Sequence, residues 1–306
     1  MSCVSNDTKR QNLPGFLKQE IEDGLWVVAT PIGNLSDLSE RAKIAMEEAD
    51  VILCEDTRRT AKLMSSLGLK KHLERLDAHA SKEKIKALTE EILRGKNMVL
   101  VSDAGTPALS DPGSYMISYA RLCGVCVTPI PGPSAITALL SVAGFTETSF
   151  TFCGFFPRKE KDRKAILAEA SSCKVSEIFV WFESPERIVE AFEVIAEIPM
   201  TAEMVVGKEL TKIYEKIFSG SARELLEQVK TEIETQGAVG EWTFAIWFKD
   251  KKNKQEEANS LDWVKTLHCL LDAGIGAPEA ARQVSQHFGA KKRDVYELAL
   301  NILQKK

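Results

Sequence analysis

The chain has 306 residues, 44% hydrophobic and 27% charged, with a formal net charge of -4. That length holds two domains of ordinary size, and the slightly negative balance excludes a protein that grips polyanions through its overall field, leaving local basic patches for any nucleic-acid contact. No apolar run approaches the roughly 18 residues of a membrane span, and the N-terminus lacks the apolar stretch of a signal peptide, so the cytoplasm is the expected compartment.

Residues 1–24 read as a polar extension. The first strand is predicted at Leu25 to Ala29 and runs into Thr30-Pro31-Ile32-Gly33-Asn34. Asp37 and Glu40 have the spacing of a capping box, and the helix after them places Leu38, Ala42, Ala45 and Ala49 on one face. A strand at Val51 to Cys54 leads into the charged loop Glu55-Asp56-Thr57-Arg58-Arg59-Thr60, and a helix follows to a stop at Gly68. A weaker strand around Leu73 to Leu76 precedes Ala78-His79-Ala80, and the helix Lys82 to Leu93 ends at Gly95.

The central stretch is Met98 to Gly113, MVLVSDAGTPALSDPG. Its apolar start is a short buried strand, which breaks into Ser102-Asp103-Ala104-Gly105-Thr106-Pro107. Asp111 is placed to cap the helix Ser114 to Leu122, with Pro112 at its first position. A strand at Val125 to Thr128, the turn Pro129 to Ser134 and a helix Ala135 to Ala143 capped by Ser134 come next. Strands alternating with helices imply a parallel sheet with helices on its faces, so every strand-to-helix loop converges on one edge, where ligands bind. There Gly105 permits close backbone approach, and Asp103 offers an acceptor for a ligand amine or hydroxyl.

The second half opens with a strand at Phe150 to Phe155. Five positive charges fall within residues 158–164, a segment that reads either as a phosphate contact or as a solvated helix start. A strand at Ile178 to Phe182 enters Glu183-Ser184-Pro185-Glu186-Arg187, and further strands are predicted at Met204 to Val206, Tyr214 to Ser219 and Trp242 to Lys249. Two strands in succession without a long helix point to a mixed sheet. The division expected is a first α/β domain over 25–133, a second α/β domain over 134–249, a charged linker over 250–260 and a helical domain over 261–306. In the last, Pro278 to Phe288 and Lys291 to Leu303, separated by Gly289-Ala290, resemble a helix-turn-helix whose turn carries Lys291, Lys292 and Arg293.

Seven cysteines are scattered except for Cys123-Gly124-Val125-Cys126, where Cys123 closes a helix rather than opening one, the wrong polarity for a redox pair. With no second pair and only four histidines, no metal site is expected, and reduced packed thiols fit the cytoplasm. The dinucleotide turn, the nucleotide P-loop and the hydrolase elbow are all missing. What the residues support by themselves is a small polar ligand held between two α/β domains.

Seven motifs then stand in one order: Thr30-Pro31-Ile32-Gly33-Asn34-Leu35, Glu55-Asp56-Thr57-Arg58, Ser102 to Pro107, Pro131-Gly132-Pro133-Ser134, Gly154-Phe155-Phe156-Pro157, Phe182 to Arg187 and Glu209-Leu210-Thr211-Lys212. This set resembles the ribosomal RNA small subunit methyltransferase I family, a branch of the tetrapyrrole methylase superfamily. The resemblance implies two α/β domains with S-adenosylmethionine in the cleft between them, a homodimer, and 2′-O-methylation of a cytidine in the decoding region of 16S rRNA on the small ribosomal subunit. It implies a cofactor pocket of Ile32, Gly33, Asp103, Ala104, Gly105, Thr106, Ser134 and Ala135, closed by Phe182, Glu183, Gly240 and Glu241. Arg58, Arg59, His79, Arg158 and Lys159 would face RNA, with Asp56 and Glu183 as acid-base candidates and Arg58 positioning a phosphate; a structural ion pair between Asp56 and Arg58 is the favoured role for both. Two positions depart from the family pattern: Lys208 stands where arginine is usual, and Asp77-Ala78-His79-Ala80-Ser81 replaces a longer H-x-H-N-E signature. Two other readings remain, a methyltransferase acting on a tetrapyrrole precursor and a non-catalytic ribosome-binding factor.

Overall fold

Three strands of near-continuous apolar sequence, LWVV, VILC and MVLV, can only be satisfied in a sheet covered on both faces. In the computed structural model, which describes residues 21–173, 175, 177–198, 201–249, 263–288 and 291–304, they lie at the centre of a parallel sheet. Its strands are β1 (Leu25–Val28), β2 (Val51–Cys54), β3 (His72–Arg75), β4 (Met98–Val101) and β5 (Val127–Ile130), in the order β3-β2-β4-β1-β5. Trp26, Val28, Ile52 and Val99 pack on the side of α1 (Glu40–Glu48) and α2 (Thr57–Ser66). Leu25, Leu53, Met98 and Leu100 face α3 (Lys82–Leu93) and α4 (Ser114–Leu122).

The second sheet, built from β6 (Phe150–Phe155), β7 (Ile178–Glu183), β8 (Ala202–Lys208), β9 (Lys216–Gly220) and β10 (Trp242–Phe248), runs β6-β7-β10-β8-β9, with only β6 and β7 parallel. The mixed sheet is as predicted. Alternation along these strands sends Trp181, Val206, Trp242 and Phe244 to one face, under α6 (Glu160–Ser172), α7 (Ile188–Glu197) and α8 (Ala222–Gln236). Val180, Val205 and Ala245 turn to the other face, against α5 (Ala135–Val142). Ile32 of the first unit joins that same cluster, so the loop after β1 and helix α5 tie the sheets together.

Several local predictions shift. Asp37 does not cap α1: it ends a 3₁₀ turn, Leu35–Asp37, and Ser39 is the N-cap, accepting from the Ala42 amide at 3.1 Å. β5 starts at Val127, so Cys126 precedes it rather than lying within it. α8 is a further helix between β9 and β10; its start is written in Ser221-x-x-Glu224, a capping box with both reciprocal bonds formed.

Helices α9 (263–272), α10 (Ala277–Phe288) and α11 (Lys292–Gln304) share a small core of Leu267, Ala281, Val284 and Val295. The N-terminal extension through residue 20, the 250–260 linker and the Gly289-Ala290 turn lie outside the described residues. No described helix is long and apolar enough to cross a membrane, and no described group of His, Cys, Asp and Glu could hold a metal ion.

Candidate active site

The loops after β1 and β4 clasp one another at the edge of the first sheet. Thr30 and Gly105 exchange backbone hydrogen bonds of 2.9 and 3.0 Å, and the Thr30 hydroxyl donates to the Ser102 carbonyl at 3.2 Å. The Thr106 hydroxyl donates to the Pro133 carbonyl at 3.4 Å, fastening the turn before α5 to the same loop. Glycine suits this clasp because Gly105 is held at a φ of +78° and a Cβ at Gly132 would come within 3.1 Å of the Ala29 side chain. Between this clasp and the inner face of the second sheet lies a cavity of about 340 Å³.

Ile32, Ala104, Gly105, Thr106, Ser134, Ala135, Phe182, Glu183, Gly240 and Glu241 all line that cavity. Gly33 and Asp103 do not. Gly33 packs behind the wall, where a Cβ would sit 3.1 Å from the Leu210 carbonyl and closer still to the Thr211 and Lys212 side chains. Asp103 turns away, accepting from the Asp56 amide at 3.3 Å and pairing with Arg59 at 3.3 Å. Ser134 stands at the N-cap position of α5 but makes no capping bond; it and Ala135 give the cavity the positive end of a helix instead.

Leu109, Ser110, Asp111, Phe155, Ser184, Leu210 and Thr243 also form the wall. Asp111 is not the helix cap that its position predicts: α4 begins at Ser114 with Gly113 before it and no side-chain cap. Burial, followed by the negative charges of Glu55 and Asp103, pushes Asp111 up to about 6. Ala108, Ser110, Glu209 and Thr211 are the described non-glycine residues with left-handed backbone, and they sit in the two turns that bring Leu109, Ser110 and Leu210 to the cavity. Such strain costs on the order of 1–2 kcal/mol per residue and gathers where function demands an unusual chain path.

The second turn, Glu209-Leu210-Thr211-Lys212, is a clamp. Lys212 reaches Glu209 at 2.7 Å and Glu241 at 3.1 Å, while the Glu241 amide donates to Glu209 at 2.9 Å. It thus holds the Gly240-Glu241 approach to β10 while its other side bears on Gly33. Lys208 is on the opposite face of the sheet from this turn. It is buried, pairs with Glu232 at 2.7 Å and lies over the Trp242 ring, and Lys216 takes the second Glu232 oxygen at 2.6 Å. Two ammonium groups there occupy the two oxygens that one guanidinium fork would bridge.

Asp56 is the N-cap of α2 and binds Arg58 through its amide at 2.9 Å and its guanidinium at 2.8 and 3.1 Å. These donors hold its carboxyl well below the usual carboxylate range. Glu183 ends β7 with its side chain fully buried and paired with Arg187, with Arg163 at 3.8 Å. Burial raises its carboxyl, and the Ser184 amide and the two guanidiniums oppose that shift. Arg163 comes from the basic segment expected at the surface, yet it is 2% exposed and donates to the Pro157 carbonyl at 2.7 Å. Arg158 and Lys159 remain exposed and form no ion pair with a described residue, whereas Lys164 pairs with Glu160 and Glu197. Arg58 and Arg59 are exposed in the first turn of α2, which begins within the predicted charged loop, and His79 is exposed on the loop after β3.

Residues 24–226 match the family model described as tetrapyrrole (corrin/porphyrin) methylases. A ribosomal RNA small subunit methyltransferase I from Escherichia coli O157:H7 is 35% identical over 281 residues, covering 90% of this chain and 94% of the relative. One from Halalkalibacterium halodurans is 34% identical over 285 residues, covering 92% and 96%. A crystal structure of diphthine synthase superposes with a TM-score of 0.56 at 18% identity over 74% of this chain and 90% of that one, a likeness of fold. The interlocked loops, the mixed second sheet and these relatives together show that the chain belongs to the ribosomal RNA small subunit methyltransferase I family of the tetrapyrrole methylase superfamily.

Proposed function

We propose that this protein transfers a methyl group from S-adenosylmethionine to the ribose 2′-oxygen of a cytidine in the decoding region of 16S rRNA, acting on the small ribosomal subunit in the cytoplasm as a homodimer. The observation that carries the reading is the cavity between the sheets, whose wall draws on six of the seven family motifs and on the Gly240-Glu241 approach. Its chemistry suits the donor. Ile32, Phe182 and Leu210 offer apolar surface, the start of α5 suits a carboxylate, and Asp111 suits a cation.

When bound, S-adenosylmethionine supplies an electrophilic methyl group on a positively charged sulfur. The chain's contribution is to hold the two reactants in line, which can supply roughly 7–11 kcal/mol of the barrier. Arg58, anchored by Asp56, and the unpaired Arg158 and Lys159 contact RNA phosphates from the two domains. Asp56, held strongly ionised, is a poor proton acceptor, and its work is to cap α2 and fix Arg58. Glu183 holds Arg163 and Arg187 in place.

Purified protein incubated with labelled S-adenosylmethionine and small subunits should label a single cytidine ribose, and sedimentation should give a dimer. Label on a tetrapyrrole precursor would overturn the reading in favour of a small-molecule enzyme. Binding to subunits without transfer would make the protein a ribosome-binding factor.

Asp111 makes donor binding pH-dependent. Its pKa of about 6 means it ionises between about pH 5 and 7, and a negative wall favours a sulfonium. Donor affinity should therefore rise severalfold across that window and stay flat in Asp111→Asn, as read by isothermal titration calorimetry. The folded pKa is raised above the unfolded one, so the unliganded protein should lose stability as pH climbs from about 4 to 6, and Asp111→Asn should not.

A further inference from the structure

β6 and β7 run in register until Phe152 pairs with Val180; the next pairing is Phe155 with Phe182. Three steps on one strand thus match two on the other, an extra residue accommodated at Cys153-Gly154, with Gly154 at a φ of +72°. Bulges of this kind re-aim the side chains that follow them. In an unbroken strand Phe152 and Phe155 would point to opposite faces. Here both reach the Phe182 ring, with centroids at 4.9 and 5.7 Å, while Phe156 is buried on the other face against Trp181 and Phe244.

The result is a large aromatic side chain held in solvent. Phe155 is 59% exposed. It borders the interdomain cavity and also an open hollow of about 800 Å³ formed with Phe156, Pro157, Arg158, Ser184, Glu186 and Arg187. The two spaces share Phe155 and Ser184. A ribose presented to the cavity mouth would carry its base into the hollow. Arg158 supplies an uncommitted positive charge at its edge, and Glu186 an exposed carboxylate that can accept from the exocyclic amine of a cytosine. Arg187 is already bound to Glu183 and Ser184, so it shapes the hollow without serving as a free cation.

We propose that this hollow seats the target nucleobase, extruded from its RNA stack, and that Phe155 is the aromatic face on which that base stacks. The inference rests on the RNA methyltransferase reading above and adds to it the site that receives the substrate. A nucleotide whose sugar enters a cleft between domains must leave its neighbours, and a protein ring replaces the stacking it loses. Phe155 is a positioning residue: it touches the base and leaves the reacting atoms to the cavity.

The test compares Phe155→Ala, Phe155→Leu and Phe155→Trp for methyl transfer to small subunits, with S-adenosylmethionine affinity measured separately by calorimetry. Losing one stacked base should raise the KM for subunits roughly 5- to 150-fold in Phe155→Ala. Phe155→Leu should be impaired nearly as much, Phe155→Trp should be close to wild type, and, since the ring only borders the donor cavity, any fall in donor affinity should be several-fold smaller than the rise in KM. A Phe155→Ala KM at the wild-type value overturns the inference, as does full rescue by leucine, which would make the position merely apolar. A parallel fall in donor affinity would assign the ring to the donor's own pocket and overturn it too. Failure of the wild-type protein to methylate small subunits at all is a different result and sinks the underlying reading.

Discussion

Glu183→Ala is expected to destabilise the second domain by about 3–5 kcal/mol, measured as a shift in its urea-unfolding midpoint, because the change strands a buried guanidinium. Arg163 is 2% exposed and has its Nη2 without a hydrogen-bond partner, so the buried carboxylate of Glu183 at 3.8 Å and the exposed, solvent-screened one of Glu190 at 3.7 Å are its counter-charges. Arg187 is half-buried and would also lose its partner. Removing both charges should be far milder than removing one: Glu183→Leu combined with Arg163→Met should recover most of the loss, since apolar side chains of similar volume can replace a buried pair. A stability loss under about 1 kcal/mol with turnover abolished would instead make Glu183 the proton acceptor.

Gly33→Ala is expected to leave both sheets folded and to weaken S-adenosylmethionine binding roughly 10- to 100-fold. An added methyl at Gly33 would meet Lys212 at its Cγ, Thr211 Oγ1 at 2.9 Å and the Leu210 carbonyl at 3.1 Å, none of which can move without carrying the strained turn and the Lys212 clamp with it. Overpacking of this kind costs about 1–3 kcal/mol, and each 1.4 kcal/mol is a factor of about ten in affinity. The cost falls on the closed arrangement, since Leu210 is both the residue displaced and part of the cavity wall. Calorimetry reads the affinity, and a thermal melt close to wild type separates this outcome from unfolding. Unchanged affinity would mean that the turn does not set the width of the cleft.

Loss at Gly33 and loss at Glu183 report different layers of the same assembly. Gly33 acts where the two units touch, and Glu183 acts on the helix-covered side of the second sheet. Gly33, which does not line the cavity, is not expected to contact substrate. The residues that would are those the loops deliver to the cavity, including Asp111 and Ser110 from the long turn before α4.

Much of the architecture was legible in the order of residues. Short apolar strands separated by capped helices dictate a doubly covered parallel sheet, because no other arrangement buries VILC and MVLV on both faces. The same order places the loops after β1 and β4 on one edge, which is why most of the expected pocket residues share one cavity. Phe182 and Glu183 both line the cavity, as expected, while the Glu183 carboxylate pairs with Arg163 and Arg187. Three things required the folded molecule. Arg163 looked like one charge among five on a surface segment until α6 laid it against Glu183. Phe155 stood only as the end of a strand and part of a motif until an extra residue in β6 set its direction. Asp111 looked like a helix cap until the left-handed turn at Ala108 and Ser110 carried it to the cavity wall. Local sequence specifies period and propensity; which carboxylate meets which guanidinium, and which ring stays in water, depends on pairings between segments that only tertiary packing brings together.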